Sequence, residues 1–219
     1  MLSRAAAAVV SVCGRLTVTC DADLPFPAGC IFAANHDSLA DPPLVVAALR
    51  TLEVEPVVMA TAGLWRTPVL GRALEQEGHI PVHRGTARAA QALDAAAEAL
   101  ASGRHVLIYG EGGLPRRTDA AAGAPGPFRT GLARLAQLTA APVVPVGHAG
   151  ARRLSSGSAV KQLAGAVTAP LRRPRLHVHV GTPVYLPADV ADGTAAAHRA
   201  VSLAWEEAAR AAGELGRAA

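Results

Sequence analysis

Aromatic side chains are scarce: phenylalanine, tryptophan and tyrosine together make up 3% of the 219 residues. That argues against a surface for single-stranded nucleic acid, which needs aromatic platforms for base stacking. Lysine is scarcer still, with Lys161 the only one among 21 basic residues. The positive charge is therefore carried by arginine, whose planar fork suits phosphate and carboxylate. Cysteine is limited to Cys13, Cys20 and Cys30, an odd number without metal-like spacing. Reduced structural thiols and a cytoplasmic setting are expected. Long apolar runs are missing as well: Ala5 to Cys13 is too short to cross a bilayer, and no signal-peptide pattern is expected. That run reads equally as an interfacial helix within residues 1–14, with Arg4 and Arg15 at its ends, and as an ordinary packed helix.

What remains is rich in alanine, valine and leucine. Hydrophobic residues reach 51%, enough for a sizeable core, and the formal charge is +4. The length suits one domain, 1–219. An anionic small molecule or an anionic lipid surface fits this charge balance.

Short apolar runs alternate with helix-like stretches. Strands are expected at Leu16–Cys20, Cys30–Ala34, Val54–Ala60, Gly78–Val82, His105–Tyr109, Pro142–Val146 and Leu176–Val180. Helices are expected at Leu2–Cys13, Pro43–Arg50, Leu64–Gln76, Ala87–Ala101 (capped by Thr86), Thr130–Thr139 and from Pro187 through Ala212. The pattern from Ala149 to Arg175 is loose. This alternation predicts an α/β single domain, a largely parallel central sheet flanked by helices. In such sheets, working groups gather where strands end. Three polar clusters fall there: Asn35 to Asp41, His83-Arg84, and Gly110 to Gly113.

The first cluster carries the chemistry. The strand through Ala34 ends abruptly in Asn35-His36-Asp37-Ser38, and Asp41 is a candidate N-cap ahead of Pro42-Pro43. A turn of that length brings the carboxylate to the imidazole. One ring nitrogen is then occupied and the other is open to take a proton near neutral pH. Arg84 with Gly85 and the following helix start would seat a phosphate. Glu111 lies between glycines, where backbone approaches a ligand closely. Each cluster also has a plain reading: a histidine beside a cap, a solvated arginine, a surface acid in a glycine turn. No Gly-x-Ser-x-Gly elbow supplies a nucleophile, so the arrangement suits direct transfer to a substrate hydroxyl. His79 and His83, four apart in strand-like sequence, and His177 and His179, alternating on one strand face without an obvious carboxylate partner, read as ordinary strand histidines rather than metal ligands.

These residues resemble the glycerolipid acyltransferase family, which includes the 1-acylglycerol-3-phosphate acyltransferases. Asn35-His36 and Asp41 match its Asn-His-x-x-x-x-Asp signature. Gly78 to Arg84 matches the second block in spacing. Tyr109-Gly110-Glu111-Gly112-Gly113-Leu114 stands where the family has Phe-Pro-Glu-Gly-Thr-Arg, keeping only the Glu-Gly pair. Phe128-Arg129-Thr130-Gly131 and Pro142 to Val146 follow like its later segments, so the motif core runs from about 30 to 146.

The resemblance implies an O-acyltransferase of phospholipid biosynthesis. It would move a fatty acyl group from a thioester donor, acyl-CoA or acyl carrier protein, to a lysophospholipid hydroxyl, 1-acylglycerol-3-phosphate first, giving phosphatidic acid. It implies His36 as general base, Asp41 as its orienting acid, and Asn35, Arg84, Gly85, Glu111 and Gly112 at the acceptor. Arg116 would stand in for the arginine that Leu114 replaces. It implies no metal and no cofactor, and a peripheral position on the inner face of the cell membrane. The alternatives are an acceptor other than lysophosphatidate, a thioester hydrolase that activates water, and a non-catalytic lipid-binding domain.

Overall fold

A computed structural model describes residues 1–86, 88–114, 124–154 and 159–215. Its seven strands are β1 (Arg15–Cys20), β2 (Ile31–Ala34), β3 (Val57–Thr61), β4 (Ile80–Val82), β5 (Val106–Tyr109), β6 (Val143–Ala149) and β7 (Arg175–Val180). They form one sheet in the order β1-β7-β6-β2-β5-β3-β4. Every neighbouring pair is parallel except β6 with β7. The α/β, largely parallel expectation holds, and helical crossovers account for most of it, since parallel neighbours need a long connection; β6 and β7 are the exception, antiparallel although α6 lies between them.

The helices are α1 (Leu2–Cys13), α2 (Asp41–Thr51), α3 (Pro68–Gln76), α4 (Ala89–Ala101), α5 (Gly131–Thr139), α6 (Ala159–Arg172) and α7 (Val190–Ala212). They cover both faces. Strand β2 is central and buried along its whole length. Its Phe32 and Ala34 pack with Leu44, Val45 and Ala48 of α2, while Ile31 and Ala33 pack with α4, α5 and α7. A strand buried on both faces reads as a continuous apolar run, which is why Cys30–Ala34 is legible in the sequence. No helix among the described residues is long and apolar enough to cross a membrane.

Several expectations need correction. The stretch 64–76 is not one helix: a 3-10 turn at Ala62–Arg66 precedes α3, and Thr67 between them is extended. A residue before proline is pushed away from helical geometry, and Pro68 follows. Asp41 is the first residue of α2 rather than its cap, and Ala40 holds the cap position without a side-chain bond. Thr86 does not cap α4; its hydroxyl donates to the His83 carbonyl. The loose region after Ala149 contains α6, hidden from the sequence pattern by Gly165 and by Pro170 inside the helix. The last helix starts at Val190, three residues later than expected, where the Asp189 carboxylate accepts from the amides of Ala191 and Asp192.

Candidate active site

Parallel pairing places the C-terminal ends of β5, β2 and β6 side by side. Ala34 is level with Tyr109 on one flank and with Val146 on the other. The chain leaving β2 turns at once through Asn35 to Ala40, and α2 starts beneath it.

Asp41 organises this turn. Its Oδ2 accepts from the amides of Asp37 at 2.6 Å and Ser38 at 2.8 Å, and from the His36 ring at Nδ1, 2.9 Å. The carboxylate is fully buried, and its Oδ1 has no partner among the described residues. A buried charge is tolerable only when several donors replace water. With Nδ1–H donating to Asp41, Nε2 keeps its lone pair, and the His36 side chain is 12% exposed. Tyr109 lies against the ring, 4.6 Å between centroids. Asp41→Asn keeps the shape and removes the charge. Hydrogen bonds to a charged acceptor are worth about 1 kcal/mol more than neutral ones. Exchange of the Asp37 and Ser38 amides is therefore expected to quicken by roughly tenfold, read by hydrogen-exchange NMR.

Glu111 follows β5 and holds the same turn from the other side. Its Oε2 accepts the His36 amide at 2.5 Å, and its Oε1 accepts the Gly126 amide at 2.6 Å. The sequence reading placed this acid at a ligand; its carboxylate also clamps the backbone of the base. Gly112 has φ +68°, which favours glycine, and its amide donates to the Tyr109 carbonyl. A side chain at Gly110 would meet the Phe128 ring at 2.3 Å. That ring explains a glycine where the resemblance leads one to expect proline.

Arg84 leaves the edge strand β4, yet its Nη1 would lie 2.7 Å from a Cβ at Gly113. The guanidinium therefore reaches back over the loop that carries Glu111. Gly85, with φ +71°, lets the chain turn there. A cavity of about 530 Å³ lies beside it, lined by Glu111 to Leu114 and Gly126 to Arg129. Arg116 lies outside the described residues. His36, Asp41, Asn35 and Glu111 thus stand together, Gly112 lines the cavity, Arg84 reaches the neighbouring Gly113, and Gly85 is not brought to the cavity wall.

Sequence reasoning missed His148. It is the last residue but one of β6 and is fully buried. Its ring Nε2 is 2.7 Å from the Asn35 carbonyl and 3.7 Å from Asp41 Oδ2. The signal was available, since a histidine interrupts an apolar strand near its end, as at the other two clusters. Asp37, Asp41 and His148 bring one donor atom each within 4.8 Å of one another. The paired strand histidines lie elsewhere: His177 bonds Thr17 and Thr19 on the β1–β7 edge. Contrary to expectation, His179 does have a carboxylate, Asp21 at 3.3 Å.

A protein-family model described as Acyltransferase matches residues 15–149. The chloroplastic 1-acyl-sn-glycerol-3-phosphate acyltransferase BAT2 of Brassica napus is 29% identical over 118 residues, 53% of this chain and 32% of that protein. The match therefore spans about a third of the relative's length. The crystal structure of the 1-acyl-sn-glycerophosphate (LPA) acyltransferase PlsC from Thermotoga maritima superposes with a TM-score of 0.70. It is 19% identical and covers 94% of this chain and 78% of that one. At that identity the likeness speaks for the fold.

Proposed function

Because the chain belongs to the acyltransferase family, whose model spans residues 15–149, we propose that it moves a fatty acyl group from a thioester to the free hydroxyl of a lysophospholipid. The favoured acceptor is 1-acylglycerol-3-phosphate, giving phosphatidic acid, and the donor is acyl-CoA or acyl carrier protein. The observation that carries this reading is the His36–Asp41 bond, 2.9 Å at Nδ1, in a partly exposed ring whose own amide is held by Glu111, a residue of the cavity wall.

In this mechanism Nε2 takes the acceptor's hydroxyl proton as its oxygen attacks the thioester carbonyl. The C–O bond forms, the C–S bond breaks, and the departing thiolate recovers the proton from the ring. Asp41 holds the reactive tautomer and steadies the charge on the imidazolium. No enzyme nucleophile is needed. Arg84 holds the acceptor's phosphate by a forked, charge-assisted pair.

A lipid acceptor is drawn from a membrane surface, and the inner face of the cell membrane is the proposed one. Val9 and Val12 of α1 and Val167 and Leu171 of α6 are exposed, with Arg4 and Arg175 also exposed. Arg173 ties the two helices by donating to the Ser11 carbonyl. Apolar side chains among arginines suit an anionic interface.

One observation favours a second acceptor class. Leu114 is exposed where the resemblance leads one to expect arginine, so the described cavity has one phosphate-binding group fewer. The deciding experiment is Arg84→Ala assayed with lysophosphatidate and with an uncharged monoacylglycerol. A charge-assisted hydrogen bond is worth about 1.5–3 kcal/mol. KM for lysophosphatidate is therefore expected to rise roughly 10–100-fold, with KM for the neutral acceptor unchanged. Equal KM for both enzymes on lysophosphatidate would remove the phosphate from Arg84. Thioester loss in wild type that ignores every acceptor would point to a hydrolase.

A further inference from the structure

A fully buried histidine in a strand is costly unless its ring is bonded. The rest of β6 is Val143, Val144, Pro145, Val146, Gly147 and Ala149, all buried. An aliphatic residue would suit position 148 on burial alone. His148 instead shares three hydrogen bonds with Asn35. The His148 amide donates to Asn35 Oδ1 at 2.9 Å, Asn35 Nδ2 donates to the His148 carbonyl at 3.2 Å, and the ring Nε2–H donates to the Asn35 carbonyl at 2.7 Å. Backbone pairing of β2 with β6 ends at Ala34 and Val146. Beyond that point the Asn35 side chain continues the ladder, and the imidazole closes it.

We propose that His148 is a positioning residue for the His36–Asp41 pair, holding the carbonyl just before the base and setting its ring beside the carboxylate that anchors it. The kinetic part of this inference rests on the acyl-transfer reading; the geometric part does not. Two consequences follow from the placement. With the Asn35 carbonyl fixed, the plane of that same peptide directs the His36 amide to Glu111, and the residue so placed turns its ring to Asp41. The positive end of the His148 ring also lies 3.7 Å from Asp41 Oδ2, so the carboxylate's field is shared between two imidazoles.

The charged groups around His148 are Asp41 at the start of α2, Asp37 in the turn and Glu111 after β5. Burial pushes the His148 ring down, but Asp41, Asp37, the Asn35 carbonyl and Glu111 outweigh it, and the net shift is upward from the ordinary imidazole value. Positive charge on this ring is thus favoured beside Asp41.

The test compares the full chain with His148→Leu and His148→Gln. The glutamine amide reaches about where Nε2 stands; leucine carries no donor. His148→Leu is expected to lower kcat about tenfold with acceptor KM unchanged. His148→Gln should restore most of kcat. Independently of turnover, the His36 amide, held by Glu111, should exchange faster in His148→Leu than in wild type, read by hydrogen-exchange NMR. Wild-type kcat in the leucine variant, equal loss in both variants, or an unchanged His36 amide would each overturn the inference. If the leucine variant does not fold, His148→Asn replaces it, since that amide is too short to reach the Asn35 carbonyl. The exchange measurement needs no substrate. A wild-type chain that transfers nothing would count against the transfer reading alone, and the inference would still stand or fall on the His36 amide.

Discussion

His36→Ala is expected to cut acyl transfer by about 10²–10⁴-fold, the range a positioned general base supplies. The fold should survive. The ring is partly exposed, and Asp41 keeps two of its three donors, the amides of Asp37 and Ser38. The loss should fall on kcat, because the proton moves only as the acceptor oxygen attacks, whereas the cavity residues around Glu111 and Arg129 remain. The measurement is initial rate with an acyl thioester and lysophosphatidate, beside a thermal melt of the same sample. Wild-type rate in the variant would remove His36 from the chemistry. An equal fall in acceptor-independent thioester loss would indicate that the same base can also activate water.

Gly147→Ala carries the largest expected cost in stability. A Cβ there would lie 2.0 Å from the Ala204 carbonyl carbon and 2.1 Å from the Trp205 amide nitrogen, both backbone atoms of α7. No rotamer change relieves such a contact; the helix or the strand must move. Overpacking of this kind costs about 1–3 kcal/mol, and more where backbone is the obstacle. For a chain of this size each kcal/mol lowers Tm by roughly 2–4 °C. The neighbouring residue is His148, so a displaced β6 also disturbs its bonds to Asn35. Transfer should therefore fall together with Tm. Gly131→Ala is the control: nothing lies within 4 Å of its Cβ position at the start of α5. A wild-type melt for Gly147→Ala would mean that α7 does not sit on β6 as closely as described.

The local part of the site was readable before the fold. Asn35, His36 and Asp41 lie within seven positions. A turn that short has few ways to fold, so the imidazole–carboxylate contact follows from spacing. What spacing did not reveal was how Asp41 acts. A cap and a ring-orienting acid look alike in sequence, and the deciding fact is that one oxygen, Oδ2, takes all three N–H donors. Likewise, Glu111 was visible as an acid between glycines, but its grip on the His36 amide depends on β5 lying beside β2.

The chain's own order of residues determined the strand runs, most of the helices and the His36–Asp41 turn, because each depends on neighbours within a few positions. Tertiary structure alone decided that Glu111, Arg84 and His148 converge on that turn from other strands. Their meeting depends on which strands pair. Pairing is settled by seating β2 between β5 and β6 while helices bury both of its faces, a balance over the whole sheet that no local stretch records.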